Sequence, residues 1–438
     1  MRIAVIGSGI AGMGASLALS EGADVWLFEA APGFGGHSHT VDVRSGDRVI
    51  PVDTGFIVYN ERNYPNLCGL FAHLGVPTHR SDMSFAFSLR GGAMEWAGDS
   101  LSTVFAQRAN LLRPRFLRGV LDILRFNRIA REQLEAGQLG DIGLGAWLER
   151  EGFSRWFCDC YILPMGGAIW STPIERLLDF PARSFLGFFS NHDLLRGMEE
   201  RQGWRTVTGG SRQYVERLIG RLGRRAVAGT AAVHVTRTGG LPRVRFSDGS
   251  EATFDHVVLA THAPQALGVL GDADAQERAI LNTFRTSKNR VILHSDPALM
   301  PRRRKIWASW NFLSGGPAED RSRPTPVTYW MQRLQGLDRD HDLFVSLNPQ
   351  REPDPARVHG EYECSHPVLD AAAFEAQGHM PSIQGRGGVW YAGAWLGYGF
   401  HEDGLRSGLA AAVALGARPA WARDLPMPPA AAVARAAE

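Results

Sequence analysis

The sequence predicts an α/β fold, in which a parallel sheet covered by helices is joined to a second part of mixed strands and helices. Near the N-terminus, the apolar run Ile3–Ile6 is followed by phased glycines, a helix-like stretch of small residues and a second apolar run, Val25–Phe28. Short continuous apolar runs of this kind are typical of buried parallel strands. Further runs at 257–260 and 389–392, the last leading into a helix, extend the same sheet. Alternating segments at 40–60 and 84–96 predict antiparallel hairpins.

The first thirty residues carry the most specific pattern. Three glycines stand at G-x-G-x-x-G spacing between the first strand and the first helix, and an acid closes the second strand. The first glycine permits a sharp turn, the second lets a pyrophosphate approach the backbone, and the third allows close helix–strand packing. The helix N-terminus then offers unpaired amides to the phosphates, and the acid accepts hydrogen bonds from a ribose. The predicted dinucleotide-binding residues are Gly7, Gly9, Ile10, Ala11, Gly12, Glu29 and Ala30.

A pair of adjacent glycines further along the chain indicates which dinucleotide is bound. Gly35, Gly36 and His37 follow the second strand within one short loop. This segment resembles the glycine-pair motif of the amine-oxidase and phytoene-desaturase superfamily of flavoproteins, which implies FAD as the cofactor. In that superfamily a basic residue after the glycines lies near the pyrophosphate. His37 stands there instead of arginine, which weakens the charge contact because histidine is only partly protonated at neutral pH.

The resemblance extends over almost the whole chain and implies further contacts with FAD. It implies that Thr54, Gly55 and Phe56 approach the isoalloxazine ring and that Val233 contacts adenine. The strand–loop–helix from 389 to 415 is similar to the C-terminal flavin motif of the superfamily. That similarity implies contacts from Gly393, Ala394, Glu402, Asp403 and Leu405, with amides at the helix start facing flavin O2.

The implied architecture is a Rossmann-like FAD-binding domain of the two-dinucleotide-binding-domain, amine-oxidase-like type, with a discontinuous α+β substrate domain. We expect the FAD-binding domain at 1–60, 205–270 and 385–417, and the substrate domain at 61–204 and 271–384. The substrate domain includes a helical subregion near 101–150, interrupted at Pro114, and 418–438 is expected to be a loose tail. The smaller elements expected are helices at 64–74, 214–222 and 403–415 and a strand at 226–236.

Composition excludes several classes of protein. The 438 residues carry a net charge of only +2, whereas nucleic-acid-binding proteins are typically strongly basic. The four cysteines show neither a zinc spacing nor a disulfide framework, so we expect no metal site and a reducing, cytoplasmic location. No apolar run reaches the length that a helix needs to span a bilayer.

The segment 101–135 has an unusual charge pattern. The apolar residues Phe116, Leu117, Val120, Leu121 and Leu124 are predicted to share one helix face, and seven arginines crowd the rest between 108 and 131. A basic amphipathic helix can lie in a membrane interface, with arginines meeting anionic headgroups. The alternative is an ordinary surface helix that packs its apolar stripe inward. Both interpretations stay open, and the first predicts a peripheral location on the inner membrane face.

Aromatic residues are concentrated at 153–190 and could line an apolar tunnel. Among them Trp170 follows two adjacent glycines, which suggests a close approach to a flat ligand. Ordinary core packing is the alternative for most of these rings.

The proton acceptor of the reaction is not obvious from the sequence. His401, Glu402, His37, Asp53 and Lys288 are candidates, and His401 is preferred because of its place at the flavin-binding end. In several amine oxidases a lysine near the position of Lys288 holds a water against flavin N5. The alternative for Lys288 is a solvated side chain at a strand edge.

Several segments, including DTGFIVYNERNYPNL and GFHEDGLRSG, resemble a more specific bacterial branch of FAD-binding amine-oxidase-like proteins. Genes of that branch often accompany lipid methyltransferases, and some members act in furan fatty acid formation. The resemblance implies desaturation of a methylated unsaturated fatty acyl chain, carried by a phospholipid, with hydride transfer to flavin N5 and a conjugated diene as product. The alternatives are an amine oxidase, or a non-catalytic FAD-binding partner of a lipid methyltransferase.

Overall fold

The computed structural model describes residues 1–195, 203–314, 324–338 and 340–425. At its centre are the strands β1 (Arg2–Ile6), β2 (Asp24–Phe28), β10 (Ala226–Val227), β14 (His256–Leu259) and β20 (Val389–Tyr391). They form a five-stranded sheet in the order β10-β2-β1-β14-β20, and all neighbouring strands are parallel. The predicted α/β fold with a parallel sheet is therefore confirmed.

Four helices cover one face of this sheet. They are α1 (Ile10–Leu19), α2 (Pro65–Leu74), α10 (Arg212–Leu222) and α15 (His401–Ala414). α1 and α15 pack closely because glycines remove side chains from their contact: a Cβ at Gly14 would collide with Leu405, and one at Gly408 with the Ala11 carbonyl. The predicted helices at 64–74 and 403–415 are confirmed to within two residues.

The other face carries a small antiparallel sheet and three helices. The sheet contains β11 (Ala232–Thr238), β12 (Leu241–Phe246) and β13 (Glu251–Thr253), and the helices are α11 (Ala263–Val269), α12 (Ala275–Leu281) and α14 (Ala371–His379). The expectation of one strand over 226–236 is wrong. Residues 226–227 join the parallel sheet beside β2, whereas 232–238 pair with β12.

The second part of the molecule is built on a seven-stranded mixed sheet. Its strands are β7 (Phe85–Leu89), β8 (Met94–Ala97), β15 (Arg285–His294), β16 (Trp310–Leu313), β17 (Val327–Trp330), β18 (Phe344–Leu347) and β19 (Val358–Val368), with α13 (Met331–Leu334) after β17. Their order in the sheet is β19-β15-β18-β17-β16-β7-β8. Smaller sheets are formed by β3 (Thr40–Ser45) with β4 (Arg48–Asp53), and by β5 (Val58–Asn60), β6 (Thr78–Arg80) and β9 (Trp204–Val207). Both predicted hairpins are confirmed.

A helical subregion lies against this sheet. It contains α3 (Leu101–Val104), a 3₁₀ turn at Arg108–Leu112, α4 (Pro114–Glu135), α5 (Leu144–Arg150), α6 (Arg155–Phe157), a π-helical turn at Cys158–Ile162, α7 (Leu163–Trp170), α8 (Ile174–Leu178) and α9 (Ala182–Asn191). Pro114 opens α4, as its missing N–H and fixed φ favour, so the predicted interruption there is confirmed. No helix among the described residues is long and apolar enough to cross a bilayer.

The orientation of α4 corrects the predicted apolar face. Its buried residues include Phe116, Phe126 and Ala130, whereas Leu121 and Leu124 are 65% and 64% exposed. The five residues expected on one face are therefore divided between the core and the surface. The aromatic core decides this, because Phe116 and Phe126 contact rings of other elements of the subregion.

The expected loose tail is also partly wrong. Trp421 is buried, and the amides of Arg423 and Asp424 donate hydrogen bonds of 3.1 and 3.0 Å to Asn66 in α2. Residues 426–438 lie outside the described part of the chain.

Candidate functional site: a dinucleotide cradle closed by both ends of the chain

The three N-terminal glycines have different roles. Gly7 has φ = +101°, and a Cβ there would lie 2.6 Å from the Ala260 carbonyl oxygen. A Cβ at Gly12 would collide with the carbonyl of Gly7. At Gly9, in contrast, an added Cβ meets nothing within 4 Å. Packing therefore requires glycine at positions 7 and 12, while the open space at Gly9 is what a pyrophosphate needs to reach the backbone.

The start of α1 offers backbone amides that suit an anion. Gly9 precedes the helix with extended backbone and no side-chain cap, so amides in the first turn, where Ile10 and Ala11 lie, keep free N–H groups. The second glycine loop lies over this point, since a Cβ at Gly36 would be 3.2 Å from the Gly9 Cα. Gly35 and Gly36 have φ of +117° and +57°, which favour glycine.

Glu29 ties the two glycine loops together. One carboxylate oxygen accepts hydrogen bonds from the Ser8 amide (2.8 Å) and hydroxyl (2.6 Å), and the other accepts one from the Ala31 amide (2.9 Å). A carboxylate offers about four lone-pair sites, so capacity remains for a ribose hydroxyl. Ala30 is exposed beside it, and Val233 on β11 is 43% exposed and free for an adenine contact.

The C-terminal segment completes the cradle. A Cβ at Gly404 would lie 2.9 Å from Ile10, so the start of α15 is placed beside the start of α1. The Gly393 amide donates a 2.8 Å hydrogen bond to Ser407, which holds the loop containing Gly393 and Ala394 against α15. Residues distant in sequence thus meet at the two helix N-termini, whose positive dipole ends favour an anionic ligand.

The two acids after His401 are occupied by backbone amides. Glu402 accepts hydrogen bonds from the Asn66 amide (2.9 Å) and the Leu67 amide (3.0 Å), and so caps α2. Asp403 accepts one from the Phe400 amide (2.9 Å). Burial raises the pKa of Glu402 to about 7 and that of Asp403 to about 6. Of the predicted flavin contacts in this helix, Leu405 is buried against Gly14.

Asp53 also has a structural role. Its carboxylate accepts hydrogen bonds from the Thr40 hydroxyl (2.6 Å), the Ser211 hydroxyl (2.8 Å) and the Ser211 amide (2.9 Å). These bonds fix the β3–β4 hairpin to the turn before α10, and burial raises the pKa of Asp53 to about 6. The backbone beyond it runs close to the second glycine loop, since a Cβ at Gly55 would collide with the His37 carbonyl. Thr54 is held in place by a 2.6 Å hydrogen bond with His39 Nδ1.

His401 lies half-buried at the start of α15. Its ring stacks on Phe56, with centroids 3.8 Å apart and planes at 9°. Its Nε2 is hydrogen-bonded to the Tyr214 hydroxyl (2.7 Å) and lies 3.2 Å from the Ser38 hydroxyl. Burial lowers the pKa of His401 to about 3, so the imidazole is neutral. Two hydroxyls already occupy this nitrogen, which suits a positioning role better than proton transfer.

A second group of two imidazoles and a thiol, each half-buried, lies beside the glycine loop. His37 and His366 have ring centroids 5.3 Å apart, and ligand atoms of His37, Cys364 and His366 all lie within 4.8 Å of one another. Burial is the main cause that lowers the pKa of both histidines, to about 3 for His366. The Nε2 of His37 is buried without a protein partner in the described structure. A buried polar atom without a partner at this place fits a site where a ligand group binds.

Pairing of β15 with β19 decides which residues face this group. Lys288 pairs with Ser365, and the adjacent pair is Asn289 with Cys364. Because side chains alternate along a strand, Lys288 points away: it is 76% exposed and forms a 2.9 Å ion pair with Glu363. Asn289 is buried and its amide nitrogen lies 3.2 Å from His366 Nδ1. The solvated strand-edge interpretation of Lys288 is the one that its surroundings favour.

Trp170 lies at the end of α7 within an aromatic cluster. Its ring centroid is 4.7 Å from Phe188, 5.1 Å from Phe180 and 5.4 Å from Phe185. The cluster reaches the cradle through Phe400, which stacks on Phe188 at 4.7 Å and directly precedes His401. Trp170 is therefore part of an apolar core that adjoins the flavin end of α15.

Sequence reasoning missed several residues that the fold brings to this site. They are Ser38, Tyr214, His262, Asn289, Cys364 and His366. One sequence signal could have found some of them. Residues two apart on a strand share a face, which places Cys364 with His366 and Ser287 with Asn289. Which face is buried could not be known without the partner strand.

Comparison with known proteins agrees with this geometry. The model of the flavin containing amine oxidoreductase family matches residues 10–332. No curated protein matched the sequence. Among solved structures, wild-type putrescine oxidase bound to putrescine is similar at a TM-score of 0.65 and 14% identity, covering 94% of this chain and 98% of that one.

Two further structures are similar over the same extent. Cyclohexylamine oxidase from Brevibacterium oxydans IH-35A has a TM-score of 0.66 and 16% identity, covering 94% of this chain and 98% of that one. The CLA-producing fatty acid isomerase from P. acnes has a TM-score of 0.64 and 17% identity, covering 93% and 96%. At these identities the similarity shows the fold. The cradle, with its open Gly9 and its facing helix N-termini, fits FAD, and the chain belongs to the flavin containing amine oxidoreductase family as an FAD-dependent oxidoreductase.

Proposed function

We propose that this oxidoreductase desaturates a methylated unsaturated fatty acyl chain, supplied as a membrane phospholipid. The observation that carries the proposal is the aromatic cluster at the flavin end of α15. Phe400 contacts Phe188, His192 and Trp170 and directly precedes His401. A hydrocarbon chain that reaches the edge of this cluster would find apolar contact area there.

The charges around the cradle argue against a cationic substrate. Glu402 and Asp403 follow Phe400 by two and three residues, and both bind backbone amides. Burial lowers the pKa of His192 to about 4, as it does for His262, so both imidazoles are neutral. An ammonium group would find no free carboxylate among these side chains, whereas an uncharged acyl chain needs none.

Bound FAD supplies a two-electron acceptor for the hydride of one allylic C–H bond. The neighbouring proton must go to a side chain, and we assign this role to His37. Its Nε2 is buried without a partner among the described residues, while a hydrogen bond to the Ser365 backbone occupies the other ring nitrogen. Burial lowers the pKa of His37, so the imidazole is unprotonated at neutral pH and Nε2 can accept a proton. His401 is assigned to positioning, because hydroxyl groups already occupy its Nε2.

The test is anaerobic mixing of the purified holoenzyme with three compounds: a methyl-branched unsaturated fatty acid, a phospholipid carrying that chain, and putrescine. We expect the flavin absorbance to bleach with the acyl compounds, faster with the phospholipid, and one conjugated diene to form per flavin reduced. Bleaching with putrescine alone would instead identify an amine oxidase. If dithionite reduces the flavin but no substrate does, the chain is a non-catalytic FAD-binding partner, for example of a lipid methyltransferase.

The assignment of His37 has its own control. His37→Asn removes the base but keeps a polar side chain, and we expect bleaching to slow by about 10²–10⁴-fold with the bound flavin spectrum retained. His401→Asn should alter FAD binding more than the rate of reduction. If the two variants slow reduction equally at full FAD occupancy, His37 is not the base.

A further inference from the structure

One exposed surface of the helical subregion is unusually apolar. Five leucines there form what we call the leucine face, and three of them, at i, i+4 and i+7, share one side of α4. Exposure reaches 86% for Leu112, whereas a few isolated apolar side chains account for the other large exposed ones among the described residues. The leucine face consists of Leu111, Leu112, Leu117, Leu121 and Leu124.

The charges around the leucine face have one sign. Between residues 101 and 131 the chain has seven arginines and a single acid, Asp122. Asp122 is buried, where it accepts hydrogen bonds from Arg125 (3.2 Å) and the Ser154 amide (3.0 Å). Arg108, Arg115 and Arg118 are exposed and form no ion pair with any described residue. An exposed apolar strip beside exposed arginines without ion pairs suits an occupant that is apolar inside and anionic at its surface.

We infer that the leucine face docks on the surface of an anionic phospholipid bilayer, with its leucines below the headgroups and the arginines at the phosphates. This combination of apolar insertion and headgroup attraction is how an amphipathic helix lies in an interface. A second copy of the chain is a poor occupant, because a two-fold interface would set the same arginines against each other. A neutral protein groove would leave those charges without partners.

The inner side of the same helix connects this surface to the proposed substrate site. Phe126 of α4 contacts Phe189 at 6.1 Å, Phe189 stacks on Phe185 at 4.5 Å, and Phe185 contacts Trp170 at 5.4 Å. A bilayer at the leucine face is therefore separated from the aromatic core by one helix diameter, roughly 10 Å. Docking here goes beyond the proposed reaction, and it is measured without turnover.

The test is flotation of the FAD-loaded protein with vesicles of phosphatidylcholine alone or mixed equally with phosphatidylglycerol. We expect flotation with the mixed vesicles, weak flotation with the neutral ones, and a loss at high salt because screening shortens the reach of the charges. Leu112→Ser, Leu121→Ser and Leu124→Ser combined should weaken binding at least about tenfold. Arg115→Gln and Arg118→Gln should each weaken it about fivefold.

Matched controls use exposed residues elsewhere, namely Val49→Ser with Leu241→Ser, and Arg44→Gln with Arg351→Gln. These should float like the wild type, and every variant should retain its flavin absorbance. Equal flotation of the leucine variant and its control would overturn the inference, as would absence of binding to anionic vesicles. If the wild type sediments as a dimer that the leucine changes dissociate, the face is a self-association interface and the inference is wrong. If acyl chains do not reduce the flavin, the proposed function is wrong. Vesicle binding tests the docking surface independently of that result.

Discussion

Replacing Gly9 by alanine separates cofactor binding from folding in a way that few positions allow. The backbone at Gly9 is extended with a negative φ, a conformation that alanine adopts without strain, and the added Cβ meets no atom within 4 Å. We therefore expect the FAD-free variant to be as stable as the wild type, or more stable by about 0.4–1 kcal/mol through the lower entropy of its unfolded chain.

FAD binding should respond in the opposite direction. The new methyl group occupies the space through which a pyrophosphate reaches the amides of α1. Loss of one hydrogen bond to a charged group costs about 1.5–3 kcal/mol, which corresponds to binding that is roughly tenfold to a hundredfold weaker. Titration of the apoprotein with FAD, followed by quenching of flavin fluorescence, measures this, and thermal unfolding without FAD measures stability.

Gly378→Ala is the matched control, because Gly378 is exposed on α14 and its Cβ also meets nothing within 4 Å. Gly12→Ala is the contrasting change, since its Cβ would collide with the Gly7 carbonyl and should destabilise the apoprotein itself. Equal FAD affinity of the Gly9 and Gly378 variants would refute the assignment of Gly9 to the pyrophosphate.

Three further changes test individual assignments. Glu402→Ala leaves two buried amides at the start of α2 unpaired. Each unpaired amide should lower the free energy of unfolding by about 1–3 kcal/mol, whereas the exposed Glu375→Ala should leave the same thermal melts almost unchanged. Lys288→Met should leave FAD affinity and flavin reduction unchanged, because it removes only an exposed ion pair. A large loss of the reduction rate would show that Lys288 takes part in the reaction. His192 has a pKa lowered to about 4 by burial, so the stability it contributes is present above about pH 6.5 and is lost as pH falls towards 4. Its contribution should drop by about 2 kcal/mol between pH 7 and 5, measured as the change in unfolding free energy between wild type and His192→Asn; a constant difference would contradict the assignment.

The flavin cradle could be predicted because its determinants are local. The spacing of Gly7, Gly9 and Gly12 fixes a turn between adjacent elements. Gly7 has a positive φ, and Gly12 lies against the Gly7 carbonyl five residues before it. The same holds for Pro114, which sets the start of α4 by its own covalent geometry. Such signals need no knowledge of the remaining chain.

The faces of α4 and of β15 could not be predicted in this way. Helical periodicity places residues on a common side, but Phe116 and Phe126 are buried because distant aromatic rings pack on them, which leaves Leu121 and Leu124 outside. Likewise, Lys288 was singled out in the sequence, while pairing with β19 turned its neighbour inward.

The sequence by itself determined the α/β class, the order of its elements and the phosphate-binding turn, because these follow from covalent spacing and short-range sterics. Only the tertiary structure decided which imidazoles meet. His37 and His366 lie near opposite ends of the chain, and contacts of that range depend on strand pairing and core packing. The same long-range packing left the leucine face and its arginines at the surface, because the opposite side of α4 was the better fit to the aromatic core.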